Sequence, residues 1–152
     1  MIKFDRILCP TDFSENAGRA LQYANGIAGE FKSELHLLHV LPDITAAMSI
    51  YGDLVFVMPD EWIPTMEKHS NDLLTAIPVD NPEISRTVRV TVQGETSVEI
   101  INYAGEQRID LIVMGTQGKS NLTHILMGDT TDKVLQKAHC PVMTVPSRER
   151  QG

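Results

Sequence analysis

The stretch GTQGKSNLTHILMGDTT, residues Gly115 to Thr131, decides how the chain is read. Behind it, Asp110 introduces the apolar run Leu111-Ile112-Val113-Met114, the pattern of a strand buried on both faces, and Gly115 ends that run at a turn. Gly118 lets main chain approach a ligand closely. Gly128 precedes Asp129, Thr130 and Thr131 and then the apolar pair Val134-Leu135, so cap-type residues open a helix whose first N–H groups face back toward the loop. A helix start of this kind holds anions, phosphate above all.

Two familiar phosphate motifs do not account for the stretch. A P-loop places four residues between its first glycine and the Gly-Lys pair, whereas two separate Gly115 from Gly118-Lys119-Ser120. The dinucleotide pattern Gly-x-Gly-x-x-Gly is absent from the chain. What stands is Gly, two residues, Gly, nine residues, Gly.

Working outward, Ile7-Leu8-Cys9 is a first buried strand, within Phe4 to Cys9 and ended by Pro10. Ser14 caps a helix in which Ala17, Ala20, Leu21, Ala24, Ile27, Ala28 and Phe31 form a narrow apolar stripe. Leu35 to Val40 is a second strand, parallel to the first through a right-handed crossover. Residues 43–86 are punctuated by prolines, and the part before residue 60 shows neither period. Beyond it Trp62, Met66, His69, Leu73 and Ile77 recur at helical spacing. Thr87 to Val92 alternates as a third strand, Thr96-Ser-Val-Glu99 reads as a capping box, and Ile100, Ile101, Ala104 and Ile109 bury the helix it opens. Leu111 to Met114 and Val142 to Val145 complete five strands. Strands alternating with helices predict a parallel α/β sheet with its ligand site beyond the carboxyl ends of the strands.

The 152 residues suffice for one complete core, with residues 1–147 as a single domain and 148–152 as a short polar tail. A net charge of −7 with scattered Lys and Arg leaves no footprint for a nucleic acid or an anionic membrane. The first ten residues lack a signal-peptide core and no apolar run approaches membrane-spanning length, so a soluble cytoplasmic protein is expected. Cys9 and Cys140 form no disulfide framework. His36 and His39 sit at an odd separation on a strand, pointing to opposite faces, and do not make a metal pair. No acid/base or nucleophile constellation is visible, so the residues themselves point to no catalysis.

The glycine spacing, Ile7-Leu8-Cys9-Pro10-Thr11-Asp12 with its Ser-led helix, Leu35 to Val40, and Cys140-Pro141-Val142-Met143-Thr144-Val145-Pro146 together resemble the universal stress proteins of the A type, over nearly the whole chain. The resemblance implies a Rossmann-like, adenine nucleotide alpha hydrolase-like sheet of order 3-2-1-4-5 and binding of ATP or a related adenine nucleotide (ADP or AMP), with or without Mg2+. Pro10, Thr11, Asp12, Val40 and Met114 would then surround the nucleoside, and Gly115, Gly118, Lys119, Ser120, Gly128, Asp129, Thr130 and Thr131 would border the phosphates. Taken as bare residues, Asp12 also reads as a helix cap, and Val40 and Met114 as plain core. The short apolar edge Val142-Met143-Thr144-Val145 after Pro141 predicts a homodimer, and the resemblance implies that this strand pairs antiparallel across a twofold. An unnamed client protein is expected, with slow ATP hydrolysis or autophosphorylation as the most catalysis.

One position departs from the family. Asp129 stands where ATP-binding members carry Ser or Thr. There a carboxylate is expected to cap the helix and to repel a phosphate about 5 Å away by roughly 1 to 3 kcal/mol, about fivefold to a hundredfold in affinity, unless Mg2+ bridges the two. A nucleotide-free dimeric interaction protein, its phosphate site blocked by Asp129, is therefore the alternative expectation.

Overall fold

The computed structural model describes residues 1–43, 60–116 and 128–147. The expected Gly118, Lys119 and Ser120, most of the aperiodic segment (44–59) and the polar tail (148–152) lie outside the described residues. The elements run β1 (Arg6–Pro10), α1 (Glu15–Phe31), β2 (Glu34–Pro42), α2 (Trp62–Ala76), β3 (Arg86–Gly94), α3 (Thr96–Glu106), β4 (Leu111–Gly115), α4 (Asp129–Lys137) and β5 (Val142–Val145). All neighbouring strands are parallel, in the order β3-β2-β1-β4-β5. This is the 3-2-1-4-5 sheet that the family resemblance implies.

β1 is the axis. Ile7, Leu8 and Cys9 have no exposed surface, because β2 and β4 flank the strand and helices cover both of its faces. Strand alternation sends Ile7, Cys9, Leu35, Leu37, Leu111 and Val113 to one face, against Ala20, Ala24 and Ala28 of α1 and Leu74 of α2. Leu8, Leu38, Val40, Ile112 and Met114 go to the other, against Ile100, Tyr103 and Ala104 of α3 and Val134 of α4. The small residues of α1 let that helix lie close to the sheet. Burial also pushes the Cys9 thiol up to about 12, so it stays a protonated, unreactive core group.

Ser14 caps α1, its hydroxyl accepting from Ala17 N at 3.2 Å. The expected capping box at Thr96 is not what opens α3: Glu95 is the cap, its carboxylate accepting from Val98 N at 3.0 Å and from the Ser97 hydroxyl. The longer Glu95 side chain folds back onto the first turn, and these bonds, led by that from Ser97, hold its carboxyl below the usual range. β1 begins at Arg6 rather than Phe4 and includes Pro10, while β2 runs on to Pro42.

The helical spacing of Trp62, Met66, His69 and Leu73 belongs to α2, as expected. Ser70 and Leu74 are the buried residues, Trp62 and Leu73 are more than a third exposed, and the helix turns Met66, His69 and Leu73 toward a cleft. Two polar ties explain the rotation. The Ser70 hydroxyl bonds Thr91 Oγ1 at 3.0 Å, and the Arg89 guanidinium reaches from β3 to donate to Leu74 O and Ile77 O at 2.9 and 3.0 Å, satisfying carbonyls at the end of α2.

On the α3 face, buried His36 lies between Tyr103 and Glu34. A carboxylate only accepts, so Nε2 carries the proton toward Glu34 at 3.2 Å and Nδ1 accepts from the Tyr103 hydroxyl at 2.8 Å. Burial lowers the His36 pKa in spite of Glu34, so the ring is neutral in the folded chain and its contact with Glu34 is a hydrogen bond rather than an ion pair. The unfolded chain takes up a proton below about pH 6.5, the folded chain only at lower pH. The stabilisation is therefore complete above pH 6.5 and is lost as pH falls below it. Thermal melts of wild type should show the midpoint dropping from pH 6.5 toward 5, and His36→Gln should flatten that drop while melting lower at pH 7.5. A wild-type slope unchanged in His36→Gln would place the acid sensitivity elsewhere.

Candidate functional site

Strand order reverses between β1 and β4, and a cleft of about 600 Å³ opens there at their carboxyl ends. Every expected nucleotide-site residue that is described lines it: Pro10, Thr11, Asp12 and Val40, then Met114 and Gly115, then Gly128, Asp129, Thr130 and Thr131. The two stretches separated by a hundred residues in sequence thus meet in space. The volume falls in the range of small-molecule sites.

The turn after β1 is tightly bonded. Thr11 N donates to Leu38 O at 2.8 Å, Phe13 N to Thr11 Oγ1 at 3.0 Å and Ser14 N to Asp12 Oδ1 at 2.9 Å. Asp12 therefore braces the turn in front of α1 and borders the cleft at the same time, while Ser14 does the capping. Val40 and Met114 are each buried in the core facing α3, and each also contributes to the cleft wall.

At the other end, Gly115 is required for space. A Cβ there would run into the Asn16 carboxamide of α1. Buried Thr131 donates its hydroxyl to Gly115 O at 2.8 Å, and Gly128 N bonds Thr116 O, so the start of α4 is tied directly to the end of β4. Gly128 is the helix cap, and as a glycine it brings no side chain to the first N–H groups. The expectation that the Asp129 carboxylate caps α4 is overturned: it lies 82% exposed, 3.1 Å from Lys133 one turn on, with Glu95 3.9 Å from the same ammonium. Asp129 is the first helical residue rather than the cap. Its side chain projects outward along the helix, where an oppositely charged residue four positions later is the nearest partner. The contact is solvent-exposed and adds little to stability. Among the described residues no Lys or Arg lines the cleft, and no group of three His, Cys, Asp or Glu is placed to hold a metal.

The universal stress protein family matches residues 3–146. The chain belongs to that family. Universal stress protein YxiE of Bacillus subtilis is 30% identical over 147 residues, covering 93% of this chain and 99% of the relative. The solved structure of protein MJ0577, a universal stress protein of Methanocaldococcus jannaschii, superposes with a TM-score of 0.80 at 27% identity, covering 99% of this chain and 100% of that one. Two more distant structures share the fold, at 20% identity each: a universal stress protein in complex with cAMP (TM-score 0.63, 97% of this chain and 100% of that one) and one from Archaeoglobus fulgidus in complex with dAMP (TM-score 0.61, 95% and 98%).

In this universal stress protein the cleft also takes walls that sequence reading did not assign to it. His39 and Phe13 border it from β2 and from the turn, and Met66, His69 and Leu73 from α2. Periodicity reports which α2 residues share a face, not what that face meets. Nothing in Asp12-Phe13-Ser14 announces that Phe13 has φ 63°, a left-handed backbone at a residue other than glycine. The close approach at Gly115 yields a direct check. Gly115→Ala should lower unfolding free energy by about 1 to 3 kcal/mol, the usual cost of overpacking, in urea titrations. Full wild-type stability in that variant would mean that Asn16 moves aside freely.

Proposed function

We propose that the chain binds an adenine nucleotide in this cleft and that occupancy alters its association with a client protein during a cytoplasmic stress response. The observation that carries the reading is the meeting of three features at the strand reversal. Apolar walls from Val40, Leu38 and Met114 suit a flat base, the Asp12 carboxylate suits hydroxyl donors, and a helix start without a side-chain cap suits a phosphate. The cAMP and dAMP complexes of relatives support the adenine part. The family resemblance implies ATP or a related adenine nucleotide, ADP or AMP. Mg2+, where it takes part, would come with the nucleotide and could bridge its phosphates to Asp129.

A nucleotide-free interaction protein is the second reading, favoured by the Asp129 carboxylate and by the absence of Lys and Arg from the described cleft lining. The Lys133 ammonium partly offsets Asp129, which reduces the repulsion expected from the acid alone. In either reading the outer strand β5 pairs two copies. Among the described residues no strand lies beyond it in the sheet, and Met143 is exposed on it.

Freshly purified protein, denatured and analysed for released nucleotide, should yield an adenine compound, and calorimetry should register ATP binding. No released nucleotide and no heat at millimolar ATP, with or without magnesium, would leave the second reading. Asp129→Ser should tighten metal-free ATP binding severalfold, because the acid that borders the cleft at the start of α4 is then gone; equal affinity would show the acid to be a bystander. Light scattering should give a dimer mass that Met143→Lys or Val142→Lys reduces. A monomer at micromolar concentration rejects the pairing. Val145→Lys is not a usable probe, since Val145 is buried in the protein's own core.

A further inference from the structure

We infer that His39, through Thr11 and Phe13, is the positioning residue that holds the Asp12 carboxylate in its ligand-facing orientation; this rests on the reading of the cleft as a nucleoside site. Thr11 O can only accept, so His39 Nδ1 is protonated and donates to it at 2.7 Å. Thr11 N is held at the same time by Leu38 O. Successive residues of β2 thus grip both backbone groups of the residue before Asp12.

The residue after Asp12 is gripped as well. Phe13 has a left-handed backbone, which disfavours any side chain beyond glycine, and its ring lies against the His39 ring with centroids 4.5 Å apart. Strained backbone persists only where surrounding contacts over-determine it, and here one imidazole supplies two of them, a hydrogen bond on one side of Asp12 and a ring contact on the other. His39 is half-buried at the edge of the cleft, where a residue needed only for core packing has no reason to carry a polar ring. What the arrangement fixes is the carboxylate between its two anchors. A carboxylate so held can accept from the two hydroxyls of a vicinal diol, the recognition chemistry of a ribose.

The test compares adenosine with 2′,3′-dideoxyadenosine, which lacks the diol. Wild type should prefer adenosine by about tenfold or more, the worth of hydrogen bonds to a charged group. His39→Leu keeps apolar bulk against Phe13 and removes the donor. It should lose about tenfold in adenosine affinity while its affinity for the dideoxy compound stays at the wild-type value. His39→Asn, whose amide nitrogen sits where Nδ1 does, should restore the preference. Unchanged selectivity in His39→Leu, equal weakening of both compounds, or failure of His39→Asn to restore it would overturn the inference. Should wild type bind neither nucleoside, the nucleoside reading itself fails. The positioning role is then decided without ligand: amide resonances of Asp12 to Ser14 must move in His39→Leu and return in His39→Asn, and resonances that stay put overturn it.

Discussion

Burial of β1 on both faces and both edges is the constraint from which the rest follows. A strand with Ile7, Leu8 and Cys9 wholly enclosed needs a strand on each side and a helix layer above and below. The chain therefore builds outward on one side through β2 and β3 and must cross back to place β4 and β5 on the other. Parallel strands and right-handed crossovers then put the helices that follow β1 and β4 on opposite faces. Between the diverging connections a gap remains at the carboxyl end of β1, and the cleft is that gap. Its position owes nothing to the ligand.

Such a gap is held open by polar ties rather than by apolar contact. At one lip Thr11 and Asp12 fold the turn onto itself and onto β2. At the other, Thr131 ties α4 to Gly115 and Asn16 of α1 fills the space a side chain at Gly115 would take. Each tie satisfies a group that the strand end would otherwise leave buried without a partner. The same bonds that close the hydrogen-bond inventory of the fold thus shape the walls of the site, so positions can be indispensable to both. Gly115 and Thr131 are of this kind.

This explains which parts of the molecule were legible in the sequence. Five apolar runs and the spacing of small residues in α1 are consequences of burial, and burial writes itself directly into composition and period. The glycines at 115 and 128 mark backbone demands, which are equally direct. Family resemblance supplied the strand order, which no run of residues prints. What stayed hidden depends on side-chain direction across elements. Glu95 displaced Thr96 as the cap of α3, Arg89 closed the end of α2 from a neighbouring strand, and Asp129 turned to Lys133 instead of to the helix N–H groups. In each case several partners lay within reach, and only the packed geometry selects one.

The two histidines of β2 show how far one local rule carries. Three residues apart on a strand, they must face opposite layers. His36 enters the closed layer beneath α3, where Glu34 and Tyr103 fix its tautomer with the proton on Nε2 and burial keeps it neutral. His39 faces the open end of the sheet, where a backbone carbonyl fixes the opposite tautomer, with the proton on Nδ1. Identical side chains on one strand are thus set to different chemistry by their acceptors alone: a carboxylate in one case, a main-chain oxygen in the other. Strand period decides which layer each ring meets. The acceptor waiting in that layer decides which nitrogen it presents, and only for His39 does the ring lie along the wall of the cleft.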